Sequence, residues 1–560
     1  MSWVVLKFGG TSVSSVQNWR TIARVIQRRL DEGVAPVVVC SAFSQVSNLL
    51  EQLLAAALRN DFDQLLEQIR DRHQEMAKTL DVDSELIADN LATLTRLVHG
   101  AALVGEVTPR LHAMVMAQGE LMATTLGAAF LNKVGIATSW VDARQVLTAI
   151  DEPLTTSARS YLSATCSADA DAQLQHHLQS RGVILTQGFI ASNSLGETVL
   201  LGRGGSDTTA AYFAARLGAS RCEIWTDVPG LYTANPLLIP TSRLLLHLDY
   251  DEAQEIASTG ATVLHPRCIP PLRHSQIPLF VRCTQHADIE GTTISGTATD
   301  HNPLVKSVSS KSGITLISMN TDGMWQQVGF LSDVFAVFKA RGFSIDLVST
   351  SEMNVTVSLD PASNALNPKE VELLLQALAP YCTARAIGPC ATVSLVGSRI
   401  RALLHQLGPA LEVFEEQPIH LVSQAASDLN LTFVVDANQA QRLVRKLHSM
   451  LFSQTGEETW LGPTWQERFG LPEAPAQPTE QWWSKKRQTL LKITESEGSP
   501  LYVYDESSLD EAAGELANLN GVDRVFFAIK ANSHADILRC FYQHHLGFEC
   551  VSPQEMHHVL

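Results

Sequence analysis

Apolar runs and helical stripes alternate through the first 300 residues of this chain. Residues 4–7, three apolar side chains ending in Lys7, read as a short strand. Beyond a pair of glycines, Val16, Trp19, Ile22, Ala23, Ile26 and Leu30 recur at the steps of one helix face. Residues 37–39, with Pro36 at their mouth, give the next strand, and residues 49–132 are mostly helical in pattern. Residues 183–186 and 222–226 read as further parallel strands, and a glycine-rich turn at 202–209 opens a helix over 210–217. Strands alternating with helices predict an α/β fold built on a parallel sheet.

The pattern changes near His301-Asn302-Pro303. Ile345-Asp346-Leu347-Val348-Ser349 is echoed by Ile419-His420-Leu421-Val422-Ser423, and each is followed by another apolar strand, at 354–359 and 429–435. With helices at 331–341 and 437–452, the echo predicts two copies of a small α+β module. Residues 456–477 are rich in Pro, Glu and Gly, a linker composition. A third unit follows, with a strand at 500–504, an amphipathic helix at 509–519 and a buried strand at 525–529 that ends in Lys530. Leu560 falls inside a predicted helix, so the sequence is expected to continue into a longer protein. The expected divisions are 1–300, 301–455, a linker at 456–495, and 496–560.

Composition narrows the partners. The formal net charge is −17 and no basic tract occurs, which disfavours nucleic acid and anionic membrane. No apolar run looks long enough to span a bilayer, and the N-terminus lacks the basic flank of a signal peptide. The nine cysteines form no C-x-x-C pair, so reduced thiols in a cytoplasmic protein are expected. The neighbouring pairs His176-His177, His544-His545 and His557-His558 lack metal-ligand spacing, and no protein-held metal is expected.

Two glycine-rich turns carry the candidate chemistry. Lys7-Phe8-Gly9-Gly10-Thr11-Ser12 and Gly202-Arg203-Gly204-Gly205-Ser206-Asp207-Thr208-Thr209 each set a cation and bare backbone N–H groups between a strand and a helix. Such turns meet phosphate or carboxylate oxygens. Two of them in one domain point to an anionic donor and an anionic acceptor held face to face, hence to phosphoryl transfer.

With Trp225-Thr226-Asp227-Val228-Pro229-Gly230-Leu231-Tyr232 and Val263-Leu264-His265-Pro266, these blocks resemble, in order, the aspartate kinases of the amino-acid kinase family over roughly residues 1–450. The resemblance implies a three-layer αβα domain that moves the γ-phosphoryl group of ATP, with Mg2+, to the side chain of L-aspartate. It implies Lys7 and Asp207 as catalytic, with Lys7, Gly9, Gly10, Thr226, Asp227 and Tyr232 around ATP. Around aspartate it implies Ser47, Glu120, Arg203 and Ser206, with Arg203 on the α-carboxylate and Glu120 on the ammonium. Two positions depart from the family pattern: Leu237 stands where many relatives have arginine, and Thr262 where many have lysine. Both lost cations belong at the ATP phosphates, so weaker ATP binding is expected, or compensation by another basic group such as Arg243 or Arg267.

Phe343-Ser344-Ile345-Asp346-Leu347-Val348-Ser349-Thr350-Ser351 resembles the effector strand of the ACT modules in lysine-sensitive aspartate kinases. This implies an amino-acid effector, L-lysine, at Met324, Gly329, Asp346 and Thr350, and a homodimer paired through ACT edges. Phe527-Ala528-Ile529-Lys530-Ala531-Asn532, with Pro500-Leu501-Tyr502-Val503-Tyr504-Asp505 before it and Gly547-Phe548-Glu549-Cys550-Val551-Ser552 after it, resembles the start of the (β/α) barrel of fold-III decarboxylases. That implies Lys530 as the lysine that binds pyridoxal 5′-phosphate, in an enzyme converting meso-diaminopimelate to L-lysine. Together the resemblances imply a bifunctional aspartate kinase and diaminopimelate decarboxylase, cut within its second half. Two competing readings are a non-catalytic amino-acid sensor on a degenerate kinase scaffold, and a kinase for another acceptor such as glutamate.

Overall fold

Every residue of the first strand, Trp3–Phe8, is buried. Val4, Leu6 and Phe8 enter one apolar core with Trp19, Ile22 and Leu126. Trp3 and Val5 enter a second core with Ala210, Phe213 and Leu217. A strand whose alternate side chains fill two cores lies between two helical layers, which gives the αβα arrangement. The computed structural model describes residues 2–152, 156–261, 263–296, 304–321, 328–361, 364, 366–402, 418–424, 426–452, 459–469, 482–519 and 522–560.

Trp3–Phe8 lies near the middle of an eight-stranded sheet. In spatial order the strands are Thr138–Val141, Val183–Gln187, Ala35–Cys40, Trp3–Phe8, Arg221–Thr226, Leu279–Cys283, Thr292–Ile294 and His247–Leu248. Neighbours run parallel except Leu279–Cys283 with Thr292–Ile294. The chain leaves the first strand towards Ala35–Cys40 on one side and comes back to Arg221–Thr226 on the other. That reversal opens a crevice at the C-terminal ends of Trp3–Phe8 and Arg221–Thr226, where open α/β sheets take ligands.

Helix Pro109–Lys133 runs through the first core, and Thr108 caps it by accepting from the Leu111 N–H at 3.2 Å. It is long and apolar enough to cross a membrane, contrary to the expectation that no run is, yet 83% of its apolar window is buried inside the protein. It is therefore a core helix, and it meets helix Val16–Asp31 through a glycine. A Cβ at Gly127 would stand 2.1 Å from the Trp19 ring.

The two echoed modules form one six-stranded antiparallel sheet. Its order is Val348–Thr350, Asn354–Leu359, Leu304–Asn320, Thr383–Ser398, Asn430–Asp436 and Leu421–Ser423. The 17-residue strand Leu304–Asn320 and the 16-residue strand Thr383–Ser398 each serve both halves, so the repeats are interleaved rather than set end to end. Helices Phe330–Ala340 and Pro368–Leu378 cover one half, and Ala440–Phe452 covers the other. The second half docks on the kinase layer. Lys306 Nζ pairs with Glu252 Oε2 at 2.6 Å, both buried. His448 Nε2 hydrogen-bonds with Thr233 Oγ1 at 2.8 Å, and Ala234 and Ile239 join the core beneath Ala440–Phe452.

The stretch expected as a linker, 456–495, departs from that expectation twice: helix Trp482–Lys485 and most of helix Arg487–Glu497 fall inside it, and residues 461–469 take up regular structure as well. Leu461–Thr464 pairs antiparallel with Arg243–Leu245, and a short helix, Trp465–Phe469, follows. Burial of Leu461 against the second core drives this docking, and the segment is too short to show a period in sequence.

Residues 471–560 make a separate unit. There Phe526–Ala528 and Gly547–Glu549 pair in parallel, connected through helix Ala535–Gln543. The expected helix is present as Glu506–Ala517. The expected strand at 500–504 is not formed: no strand lies beside that run, and Tyr502 is 93% exposed.

Candidate active site

Lys7 sits at the end of the first strand, level with Val39 on one neighbour and Ile224 on the other. Its Nζ lies 2.6 Å from Asp207 Oδ1, and both side chains are about nine-tenths buried. The Gly9 N–H donates to Trp225 O at 3.3 Å, which ties the first glycine turn to the adjacent strand end. Close packing fixes the residue type at Gly10, where a Cβ would come 3.0 Å from Ala42 O.

The second glycine turn faces the first. Gly204 has a φ of +66°, and a Cβ there would stand 2.0 Å from His265 Cγ, so only glycine fits. Helix Gly205–Leu217 then carries Asp207 in its first turn. The His265 N–H donates to Asp207 Oδ2 at 3.2 Å, which leaves that carboxylate held between a backbone donor and Lys7. Burial lowers the His265 pKa below the ordinary histidine value, against the opposing pull of Asp207. Arg203 is exposed and makes no ion pair among the described residues. Ser41 Oγ and Ser206 Oγ share a hydrogen bond at 2.9 Å.

Glu120 is 3% exposed. Its Oε1 accepts from the Ala42 N–H at a long 3.4 Å, and its Oε2 has no partner among the described residues. Burial pushes its carboxyl up to about 8. Gly119 lets the helix come this close, since a Cβ would lie 3.1 Å from Ala42 Cβ. Ser47, half-buried, is in the first turn of helix Val46–Ala57, which follows the same loop. The loop at 41–45 thus connects Glu120, through Ala42, to Ser206, through Ser41.

On the other side of Lys7, Thr226 is half-buried and Asp227 exposed, and Thr226 Oγ1 donates to Asp227 Oδ1 at 3.0 Å. Tyr232 is buried beside them with its ring 5.6 Å from Trp465. Leu237 is 77% exposed, and Thr262 lies outside the described residues. Neither arginine expected to compensate for these two positions is available. Arg267 donates to Leu201 O at 2.6 Å, Ala164 O at 3.1 Å and Ser163 Oγ at 3.2 Å. Arg243 Nε donates to Gly462 O at 3.0 Å.

The remaining candidates lie elsewhere. Asp346 and Thr350 are exposed at the outer strand of the regulatory sheet, and Gly329, with a φ of +94°, caps helix Phe330–Ala340. Met324 lies outside the described residues. Lys530 follows strand Phe526–Ala528, at the expected strand end, but it is exposed. Cys390, His420 and Asp436 group their ligand atoms within 4.8 Å, as do Asp510, Cys540 and His544. Each group already holds a histidine–carboxylate contact, at 2.8 Å and 3.2 Å respectively.

Sequence reasoning gave no role to Ser41 or to His265, although His265 lies in a motif that it singled out. It missed Trp465 altogether, because a strand and a one-turn helix inside a Pro-rich stretch look like linker.

The amino acid kinase family model matches residues 2–283. The chain belongs to this family. It is 33% identical over 455 residues to the lysine-sensitive aspartokinase 3 of Escherichia coli K12, a match covering 80% of this chain and 99% of that one. Its structure is similar to that of E. coli aspartokinase III with aspartate and ADP, with a TM-score of 0.70 at 32% identity. The same enzyme with lysine and aspartate gives 0.63 at 31% identity, and both structures cover 80% of this chain and 99% of theirs. These likenesses extend the family assignment to an aspartokinase-like kinase with an ACT-like regulatory region. They bring no support for a fused decarboxylase.

Proposed function

We propose that the chain is an aspartate kinase that forms 4-phospho-L-aspartate and is regulated by L-lysine. One observation carries the reading: Glu120, a buried carboxylate with an unpartnered oxygen, accepts from Ala42 in the loop whose Ser41 bonds Ser206 of the second glycine turn and whose Ala42 carbonyl packs on Gly10 of the first. A buried acid without a partner costs stability unless its ligand brings a cation. An amino-acid ammonium supplies that charge. Arg203, exposed and without an ion pair among the described residues, then takes the α-carboxylate, and the side-chain carboxylate is left facing Lys7.

The nucleotide lies on the far side of Lys7, along Gly9, Gly10, Thr226, Asp227 and Tyr232, and Mg2+ arrives with it as part of the substrate. Phosphoryl transfer between two anions needs alignment and charge neutralisation more than proton transfer. Lys7 supplies that charge where donor and acceptor meet, while Asp207 fixes the ammonium in place. Backbone N–H groups of the two glycine turns add preorganised dipoles at no cost of reorganisation. The sensor reading gives no reason for a buried, unpartnered acid on the loop that packs on both glycine turns.

The effector reading is that L-lysine binds near Gly329, Asp346 and Thr350. The outer strands Val348–Thr350 and Leu421–Ser423 end the regulatory sheet and leave edges on which a second copy would pair. For residues 471–560, the decarboxylase reading rests on the Lys530 motif and its strand-end position. Lys530 is exposed beside a two-stranded sheet, which does not fit a cofactor lysine in a closed site, and no step is assigned to pyridoxal phosphate here. The test is acyl-phosphate trapping by hydroxylamine with ATP and either L-aspartate or L-glutamate. Hydroxamate with aspartate alone is expected; none with either acceptor, or a preference for glutamate, overturns the reading.

A further inference from the structure

The nucleotide side of the crevice is bounded by more than the kinase layer. Residues 460–469 form a strap anchored mainly through backbone groups. The Leu246 N–H donates to Trp460 O at 2.9 Å, the Trp465 N–H to Ser242 O at 3.0 Å, and the Gln466 N–H to Pro240 O at 3.1 Å. The short helix Trp465–Phe469 then sets positions 465, 468 and 469 on one face. Two of the three touch the rim. The Trp465 ring lies 5.6 Å from Tyr232 and 4.2 Å from Phe469, and the Phe469 ring lies 5.1 Å from His286. Tyr232 follows Arg221–Thr226, the strand paired with that of Lys7, and His286 follows Leu279–Cys283, the next parallel strand beyond it.

The third position on that face is Arg468. It is exposed and makes no ion pair among the described residues. Burial raises the Tyr232 phenol well above its ordinary value, and the Arg468 charge is near enough to oppose that shift. Of the other basic groups around the crevice, Lys7 is paired with Asp207, Arg267 and Arg243 are held by carbonyls, and Arg282 lies against the Trp225 ring. Arg203 is exposed and is read as the ligand of the acceptor's carboxylate. A nucleoside triphosphate brings several negative charges to this rim, and Asp227 adds another.

We propose that Arg468 is a nucleotide-binding residue, contacting the phosphates from the strap while Trp465 and Phe469 hold it in position against Tyr232 and His286. The proposal rests on the reading of this crevice as a nucleotide site. It makes the strap that follows the regulatory region part of the donor pocket, so its docking sets nucleotide affinity.

The test is calorimetric titration of the full chain with MgADP and, separately, with adenosine. Arg468→Ala is expected to weaken MgADP roughly tenfold, the effect of one charge-assisted contact, and Arg468→Lys to lose less. Adenosine affinity and the KM for L-aspartate should stay at the wild-type values, while the KM for MgATP rises. Thermal melting of the exposed variant should match the wild type. MgADP affinity within twofold of wild type in Arg468→Ala, or equal weakening of MgADP and adenosine, overturns the proposal and leaves the kinase reading standing. Failure of the wild-type chain itself to bind MgADP overturns both.

Discussion

Replacing Glu120 by glutamine should remove a pH dependence that the wild-type protein carries in one buried carboxyl. The group lies at about 8 in the fold against an ordinary value of 4.5, and burial is the cause. That gap corresponds to about 5 kcal/mol at about 1.4 kcal/mol per unit. The direction follows from proton counting. Between pH 4.5 and 8 the folded protein holds the Glu120 proton while the unfolded chain has lost it, so stability falls as pH rises across this window. Below it both states are protonated, and above it both are ionised. Denaturant unfolding of wild type and Glu120→Gln at pH 5, 6, 7 and 8 isolates the effect, because other groups titrate alike in both. Wild type should lose about 4 kcal/mol relative to the variant from pH 5 to pH 8. Binding has the opposite dependence. An ammonium ligand needs the ionised carboxylate, so aspartate affinity should rise about tenfold per pH unit up to about 8, and binding at pH 7 should release close to one proton. Both dependences should vanish in Glu120→Gln. A stability difference that stays flat from pH 5 to 8 would refute the claim that Glu120 is buried without compensation.

Lys7→Met should lower kcat/KM by at least about a hundredfold, the cost of one electrostatic contact of about 3 kcal/mol in a closed site. It should also lower stability, because Asp207 loses its partner, as urea unfolding will register. Gly127→Ala drives a methyl group into the Trp19 ring and should cost about 1–3 kcal/mol in denaturant unfolding without changing either KM. His448, which burial holds down at about 4, bonds Thr233 next to Tyr232. Its folded value lies below the ordinary 6.5, so its contribution to stability is present above pH 6.5 and lost as pH falls towards 4. His448→Gln should flatten that acid limb and weaken the response to L-lysine, measured as the shift in the lysine concentration that gives half the change in kinase activity.

The sheet was legible because its strands carry short apolar runs separated by helical stripes, as in Trp3–Phe8 and Ala35–Cys40. The echoed modules were legible as a repeat. Their interleaving was not, because it depends on two long strands, Leu304–Asn320 and Thr383–Ser398, that pair far apart in sequence. The site was partly legible: Lys7 and Asp207 meet as the two turns suggested. That Glu120 has no partner is a property of burial and of a close helix–loop approach at Gly119, which no local pattern reports. That Arg243 and Arg267, offered as possible compensation at the phosphates, are held by carbonyls was not legible, because those carbonyls come from distant segments. The strap at 460–469 was hidden by its neighbours' composition and by its length.

Phosphorus NMR of the full chain with MgATP and L-aspartate tests the central claim most directly. The account predicts that the γ-phosphate signal of ATP gives way to an acyl phosphate and ADP, and that this exchange is lost in Lys7→Met. Formation of ADP and inorganic phosphate at a rate independent of aspartate, or unimpaired turnover in Lys7→Met, would contradict it.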